Sequence, residues 1–219
     1  MQILVYYLLA CYLLGAVPSG YLLARYWKGV DLRKVGSGNI GATNVLRNLG
    51  WGAGVVVLLL DMAKGLLAVL LWTGPFVHRL GMPRVDWVPA LGGLVAVLGH
   101  DYTLFLGFKG GRGVATSAGV FLALAPCSTL TALFIFCVCV WATRMVSVGS
   151  LMASLALPPL LIFYTEAGRA GGRGEPVFWL ALALAAFIWI KHIPNIRRIL
   201  AGTENRLGGG KTPSEEKHA

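Results

Sequence analysis

The chain has 219 residues, 57% hydrophobic and only 13% charged, with a mean hydropathy of +0.71. That balance is too apolar for a water-soluble globular domain of this size, so lipid must be part of its solvent. A formal net charge of +10 would suggest nucleic acid on a soluble protein, but here the basic residues sit between apolar runs. They point instead to the positive-inside rule and to anionic, phosphate-bearing ligands, and no nucleic-acid partner is expected.

A hydrocarbon core of about 30 Å needs about 20 apolar residues per helix. Runs of that order fall at 3–25, 52–73, 86–99, 113–125, 127–143, 148–165 and 176–190. They predict an all-α integral membrane protein, a bundle of seven transmembrane helices forming one domain over 1–207, with 208–219 a disordered cytoplasmic tail. Pro126 alone separates two of the shorter runs, so six spans is the alternative. The first run has no basic segment before it and no small-residue cleavage pattern, which reads as a retained helix rather than a signal peptide. Cys11, Cys127, Cys137 and Cys139 lie inside apolar runs with no metal-ligand spacing and are read as packing residues.

The basic residues set the orientation. Lys28, Arg33, Lys34, Arg47, Lys109, Arg112, Arg144, Lys191, Arg197, Arg198, Arg206, Lys211 and Lys217 fall on one side of a seven-span arrangement, and Arg79, Arg84, Arg169 and Arg173 on the other. The richer side is cytoplasmic, which puts the amino terminus outside and the carboxyl terminus inside. Every loop with chemical potential then faces the cytoplasm. The glycine-rich 168–174 loop falls on the other side, where no catalytic consequence is expected.

The first such loop is Gly36-Ser37-Gly38-Asn39-Ile40-Gly41-Ala42-Thr43-Asn44-Val45-Leu46-Arg47. Its glycines allow backbone N–H groups to turn into an anion-binding concavity, with Ser37, Asn39, Thr43 and Asn44 as neutral donors and Arg47 as a fixed charge. A helix beginning near Asn44 would aim its dipole at the same anion. A plain flexible turn is the bland alternative. The second is Gly99-His100-Asp101-Tyr102 followed by Phe108-Lys109-Gly110-Gly111-Arg112-Gly113, in which Lys109 and Arg112 flank a Gly-Gly turn at a helix start. The spacing predicts that both cations and the helix terminus converge on one small volume, though two positive-inside anchors would look similar.

The third loop runs from Lys191-His192-Ile193-Pro194-Asn195 to Gly202-Thr203-Glu204. Ile196, Ile199 and Leu200 share a face of a short interfacial helix that Gly202 stops, with Arg197 and Arg198 toward the headgroups. His192 reads equally as a general base or as a solvated interfacial histidine, and Glu204 equally as the partner of a loop arginine or as a surface carboxylate. Ser147 and Ser150 stand beside Arg144 at a short turn, placed to donate to an anion. Asp61 and Lys64, one helical turn apart inside a span, are expected to pair with each other or with a neighbouring helix, in a structural role. The chain has no H-x-x-x-x-D motif, no G-x-S-x-G elbow and no metal-ligand spacing, so no metal or cofactor is expected.

Taken together, GSGNIGATNVLR, GHDY…FKGGRGVATS and HIPNIRRILAGTE resemble the bacterial acyl-phosphate-dependent glycerol-3-phosphate acyltransferases, the PlsY family, over residues 1 to about 207. Arg112 stands where a second lysine is usual and Tyr102-Thr103 where Phe-Pro is commoner. The resemblance implies a seven-helix bundle in the bacterial inner membrane, with cytoplasmic active-site loops. The reaction it implies is acyl transfer from acyl phosphate to the 1-hydroxyl of sn-glycerol 3-phosphate, giving lysophosphatidic acid and phosphate. Its implied catalytic group is His192, Asn195, Ser37, Arg47 and Lys109, with Gly36, Gly38, Asn39, Asn44, Gly110, Gly111, Arg112, Ser147 and Glu204 binding substrate. Ser37, Asn44 and Arg47 are assigned to the glycerol phosphate and Lys109 and Arg112 to the acyl phosphate, an assignment that can be exchanged. Asn195 is expected to hold the imidazole or the substrate. An organophosphate transporter is the alternative, and a thioester donor differs only in its leaving group. The partners are thus the two substrates and membrane lipid, with the oligomeric state left open.

Overall fold

The computed structural model of the chain describes residues 2–73, 87–164 and 174–208, and among these every regular element is helical. The first apolar run forms α1 (Gln2–Ala16) and α2 (Ser19–Lys28), broken at Pro18. Proline has no N–H to donate and clashes with the carbonyl one turn back, so the break leaves carbonyls that need donors. Two distant side chains supply them. Thr103 Oγ1 donates to Ala16 O at 2.5 Å, and Lys64 Nζ donates to Val17 O at 2.8 Å.

A short helix α3 (Ala42–Leu49) stops at Gly50 and leads into the long α4 (Trp51–Thr73). There follow α5 (Trp87–Asp101), α6 (Val114–Leu124), α7 (Pro126–Thr143), α8 (Val146–Phe163), α9 (Gly174–Lys191) and α10 (Ile193–Leu200). Pro126 occupies the first turn of α7, where its missing N–H costs nothing. Each predicted apolar run after the first is one helix within a few residues of its expected bounds.

The seven-span count does not follow from them. Among the described residues five helical segments are long and apolar enough to cross a membrane, six if α9 and α10, bent by 57°, form one broken span. The exception is α6, whose 11 residues rise about 16 Å, roughly half a hydrocarbon core. It is held between Gly113, at a φ of 73°, and the Ala125–Pro126 corner. The loops with Arg79, Arg84, Arg169 and Arg173, and the tail from 209 onward, lie outside the described residues.

The short α6 packs along α4 at contact distance, because Gly65 lies against the Thr116 carbonyl and Gly119 against that of Met62, where any side chain would collide. Phe121, Val120, Val97, Leu161 and Leu184 fill the core between α5, α6, α8 and α9, and Tyr7 packs on Trp72 in a second cluster. Large apolar side chains such as Leu59, Phe134 and Ile162 point outward, as a lipid-facing surface requires. Of the cysteines, Cys11 alone is packed inside; Cys127 and Cys137 are exposed and Cys139 half-buried, because their helix α7 is the least enclosed of the spans.

Candidate active site

The starts of α3 and α6, the last turn of α5 and the segment from His192 to Leu207 surround one end of a cavity of about 540 Å³. That end carries Ser37, Arg47, Arg112, Ser147, His192 and Arg198, while α4, α6, α7, α8 and α9 line the rest with residues such as Leu58, Phe121, Leu133, Phe136, Leu157 and Leu184. Two helix amino termini open onto it through Ala42 and Thr43 and through Val114 and Ala115, bringing backbone N–H groups that have no partner within their helices. The cavity therefore suits an amphiphile with an anionic head.

Glu204 organises the polar end. Its Oε1 accepts from Ser147 Oγ at 2.8 Å and Asn195 Nδ2 at 2.7 Å, and its Oε2 from Arg198 Nε at 2.8 Å. Burial by itself would raise this carboxyl, but these three donors and the Arg198 charge outweigh it and hold it below the usual carboxylate range. The expected arginine partner is thus Arg198, which turns inward rather than toward the headgroups, because the carboxylate is placed six residues on to receive it. Asn195 holds Glu204 and not the imidazole. Its buried Oδ1 makes no hydrogen bond within the protein.

Asn44 plays a different part from the one expected. Its buried amide donates to Leu32 O, Val35 O and Asn39 O, and its Oδ1 accepts from Ser37 N and Asn48 Nδ2, so it braces the loop from within. Gly38 N donates to Val35 O and Gly41 N to Asn39 Oδ1. With the N–H groups of Ser37, Gly38 and Gly41 engaged inside the loop, these positions do not form an open cradle, and what the stretch presents to the cavity is Ser37, Asn39, Thr43 and Asn44 with the charged Arg47. Gly36 and Gly38, at φ of 55° and 69°, shape the turn and do not line the cavity; a side chain on Gly36 would strike Asn44 Oδ1. Arg47 Nη2 also donates to Asn205 O at 3.2 Å, tying α3 to the segment that covers the site.

Lys109 and Arg112 do not converge. Arg112 lines the cavity, whereas Lys109 is exposed and outside the lining, because the chain turns outward through left-handed Gly107 and Phe108 just before it. Gly110 and Gly111 also stand outside the lining, packed against the end of α5. Burial first, then the charges of Arg198 and Arg47, holds Arg112 below the usual guanidinium range, against the opposing pull of Glu204 and Asp101. It stays charged, since arginine titrates far above neutrality.

His192, at the bend between α9 and α10, is buried and its Nδ1 lies 2.8 Å from Ile188 O. A carbonyl only accepts, so Nδ1 carries the proton and Nε2 keeps its lone pair. Burial pushes this imidazole down to about 4, a shift that the Ile188 bond opposes and the Arg112 charge reinforces. Sequence reasoning passed over Arg198, Asp61 and His100 as cavity residues. The spacing of Arg198 to Glu204 was a usable signal, as were the place of His100 in the Gly99-His100-Asp101-Tyr102 stretch and the charge of Asp61 inside a span. Asp61 and Lys64 pair as expected, at 2.8 Å and fully enclosed. Among the described residues no group of three His, Cys, Asp or Glu side chains is placed to hold a metal.

Comparison with known proteins identifies the family. Residues 5–202 match the family model described as glycerol-3-phosphate acyltransferase. A glycerol-3-phosphate acyltransferase from Geobacter sulfurreducens is 48% identical over 196 residues, covering 90% of this chain and 93% of that protein; one from Synechococcus sp. is 45% identical over 90% and 92%. Two crystal structures of PlsY (YgiH), an integral membrane glycerol 3-phosphate acyltransferase, superpose closely. The glycerol 3-phosphate form has a TM-score of 0.81 at 38% identity, covering 94% of this chain and 96% of that one. The lysophosphatidic acid form has a TM-score of 0.79 at 37% identity, covering 94% and 95%.

Proposed function

We propose, for a chain that belongs to the glycerol-3-phosphate acyltransferase family, that the donor is an acyl phosphate and the acceptor the 1-hydroxyl of sn-glycerol 3-phosphate. The protein is an integral membrane acyltransferase of phospholipid biosynthesis, which sets aside the transporter reading. One observation carries the substrate assignment: Arg47, Arg112 and Arg198 line one end of a cavity whose remaining walls are mostly apolar. Two phosphate-bearing molecules, one with a fatty chain, match that charge and that division of surface.

In this reading Ser37 and Arg47 hold the glycerol phosphate. Arg112 and Arg198 stabilise the acyl phosphate and the oxyanion that forms on its carbonyl, while Ser147 spends its hydroxyl proton on Glu204 and holds that carboxylate beside them. Lys109, exposed three residues from Arg112, attracts the anionic head toward the loop. The fatty chain lies among the side chains of α4, α7, α8 and α9. Asn39, Gly36, Gly38, Gly110, Gly111, Asn44 and Glu204 serve by shaping these loops.

The glycerol oxygen attacks the acyl carbonyl carbon, an ester C–O bond forms, the anhydride C–O bond breaks, and phosphate leaves. The proton goes to that phosphate. A phosphate group with a second pKa of about 6 outcompetes an imidazole held near 4. His192 Nε2 accepts the hydrogen bond of the attacking hydroxyl and aims it, and Asn195 Oδ1 offers a second acceptor. No covalent enzyme intermediate is needed, because the mixed anhydride already carries a good leaving group and positioning supplies the rest. The membrane is the cell membrane, with the carboxyl terminus and the polar end of the cavity on the cytoplasmic side, as the unequal distribution of Lys and Arg supports.

The test supplies purified protein with glycerol 3-phosphate and either palmitoyl phosphate or palmitoyl-CoA, and follows phosphate and lysophosphatidate. Product from palmitoyl phosphate alone is expected. Product from the thioester alone would overturn the donor assignment.

A further inference from the structure

His100 closes the last turn of α5, 5% exposed, and the transfer just described makes no use of it. Two backbone bonds fold the following loop back onto it: Gly110 N donates to Asp101 O and Gly111 N to His100 O, both at 3.1 Å. The space where Gly111 would carry a side chain is filled by the His100 ring, whose Nε2 stands closest. Behind the ring Asp61 Oδ1 lies 3.8 Å from His100 Nδ1, too far for a hydrogen bond, and Asp61 is ion-paired to Lys64 at 2.8 Å. Lys64 in turn caps Val17 O at the α1–α2 break. One buried polar node thus joins the break between α1 and α2, the middle of α4, the end of α5 and the backbone immediately before Arg112.

We infer that His100 is a positioning residue for the acyl transfer: braced by the Asp61–Lys64 pair, its ring seats against Gly111 and sets where Arg112 stands in the cavity. The two N–H bonds keep the Gly110–Gly111 backbone from moving away from α5, and the ring keeps it from moving closer. A guanidinium on the next residue is then fixed from both sides. Such control matters because a displacement of about 1 Å at a catalytic group costs roughly 100-fold in rate. Asp101, 3.9 Å from His100 Nε2, flanks the ring on that side. The inference rests on the assignment of Arg112 to the acyl phosphate.

The test is steady-state kinetics of the full-length protein in detergent for H100A, H100Q, G111A, the double variant H100A/G111A and, as reference, R112A. R112A is expected to raise the KM for palmitoyl phosphate at least about 10-fold, and H100A to raise the same KM roughly 5-fold while leaving that for glycerol 3-phosphate within about twofold. H100Q, similar in reach, restores most of the loss. G111A drives a methyl group into the ring and is the worse single variant; removing the ring makes room, so the double variant is more active than G111A. An unchanged KM in H100A beside a raised one in R112A overturns the positioning role alone. An unchanged KM in R112A overturns the assignment beneath it. Should H100A not purify folded, G111A carries the test, and an unchanged KM for palmitoyl phosphate in G111A overturns the inference.

Discussion

Ser147 Oγ and Glu204 Oε1, 57 residues apart in the chain, meet at 2.8 Å and join the first turn of α8 to the segment that follows α10. Both groups are buried. The carboxylate that receives this hydroxyl also receives Asn195 and Arg198, so one side chain holds the polar end of the cavity together. Replacing Glu204 by Ala leaves three donors without their acceptor. E204A is expected to lose on the order of 2 kcal/mol of stability together with most activity, and E204Q, which keeps an oxygen acceptor, to lose less. Thermal unfolding in detergent beside specific activity tells the two apart; equal stability of E204A and wild type would contradict the bracing role.

Arg47 presents its charge from α3, and R47A is expected to raise the KM for glycerol 3-phosphate roughly 10- to 100-fold while changing that for palmitoyl phosphate little. R47K retains the charge without the fork and falls between. Initial rates with each substrate varied in turn give the answer, and a change confined to the palmitoyl phosphate KM would exchange the two phosphate assignments.

His192 aims a hydroxyl through Nε2, so H192A is expected to lower kcat about 100-fold. Turnover of H192A near the wild-type value at saturating substrates would remove His192 from the chemistry. H192Q, with an acceptor oxygen on a side chain of similar reach, recovers part of the loss.

Acid should destabilise the protein in two stages. His192 titrates near 4 when folded against 6.5 when free, so between those values the unfolded chain binds the extra proton and stability falls as pH falls. Below 4.5 Glu204, depressed in the fold, adds a further loss as its unfolded form protonates first. Thermal unfolding followed from pH 7.5 to 4 should therefore fall less steeply in H192Q than in the wild type. Parallel curves would mean that His192 keeps its ordinary affinity for protons.

Ala132 of α7 is buried against the core and lines the apolar part of the cavity. A bulkier residue there shortens the space for a fatty chain. A132W is expected to shift preference from palmitoyl toward shorter acyl phosphates, measured as the ratio of kcat/KM across chain lengths.

Much of the architecture was legible before any coordinates, because lipid imposes long apolar runs. The helices from α4 to α9 follow those runs closely. What length cannot reveal is whether a run crosses, and α6 shows it: its composition matches a span, but at 11 residues it is supported by close packing on α4.

The three glycine-rich loops and their charged residues were also open to reading, since glycine, arginine and histidine announce anion binding and proton chemistry wherever they cluster. Their division of labour was not. Asn44 looked like a substrate ligand and braces its own loop; Arg198 looked like a headgroup anchor and turns in to Glu204; Lys109 and Arg112 looked like a pair and part company at two left-handed residues. Residue type determines what a side chain is able to donate or accept, and that much the sequence alone decided. Which partner it meets depends on backbone turns and on helices that are distant in the chain, as with His100 against Gly111 and Lys64 at the Pro18 break. That choice belongs to the tertiary structure, because a hydrogen bond or a contact is set by distances of a few ångströms that no spacing in sequence encodes.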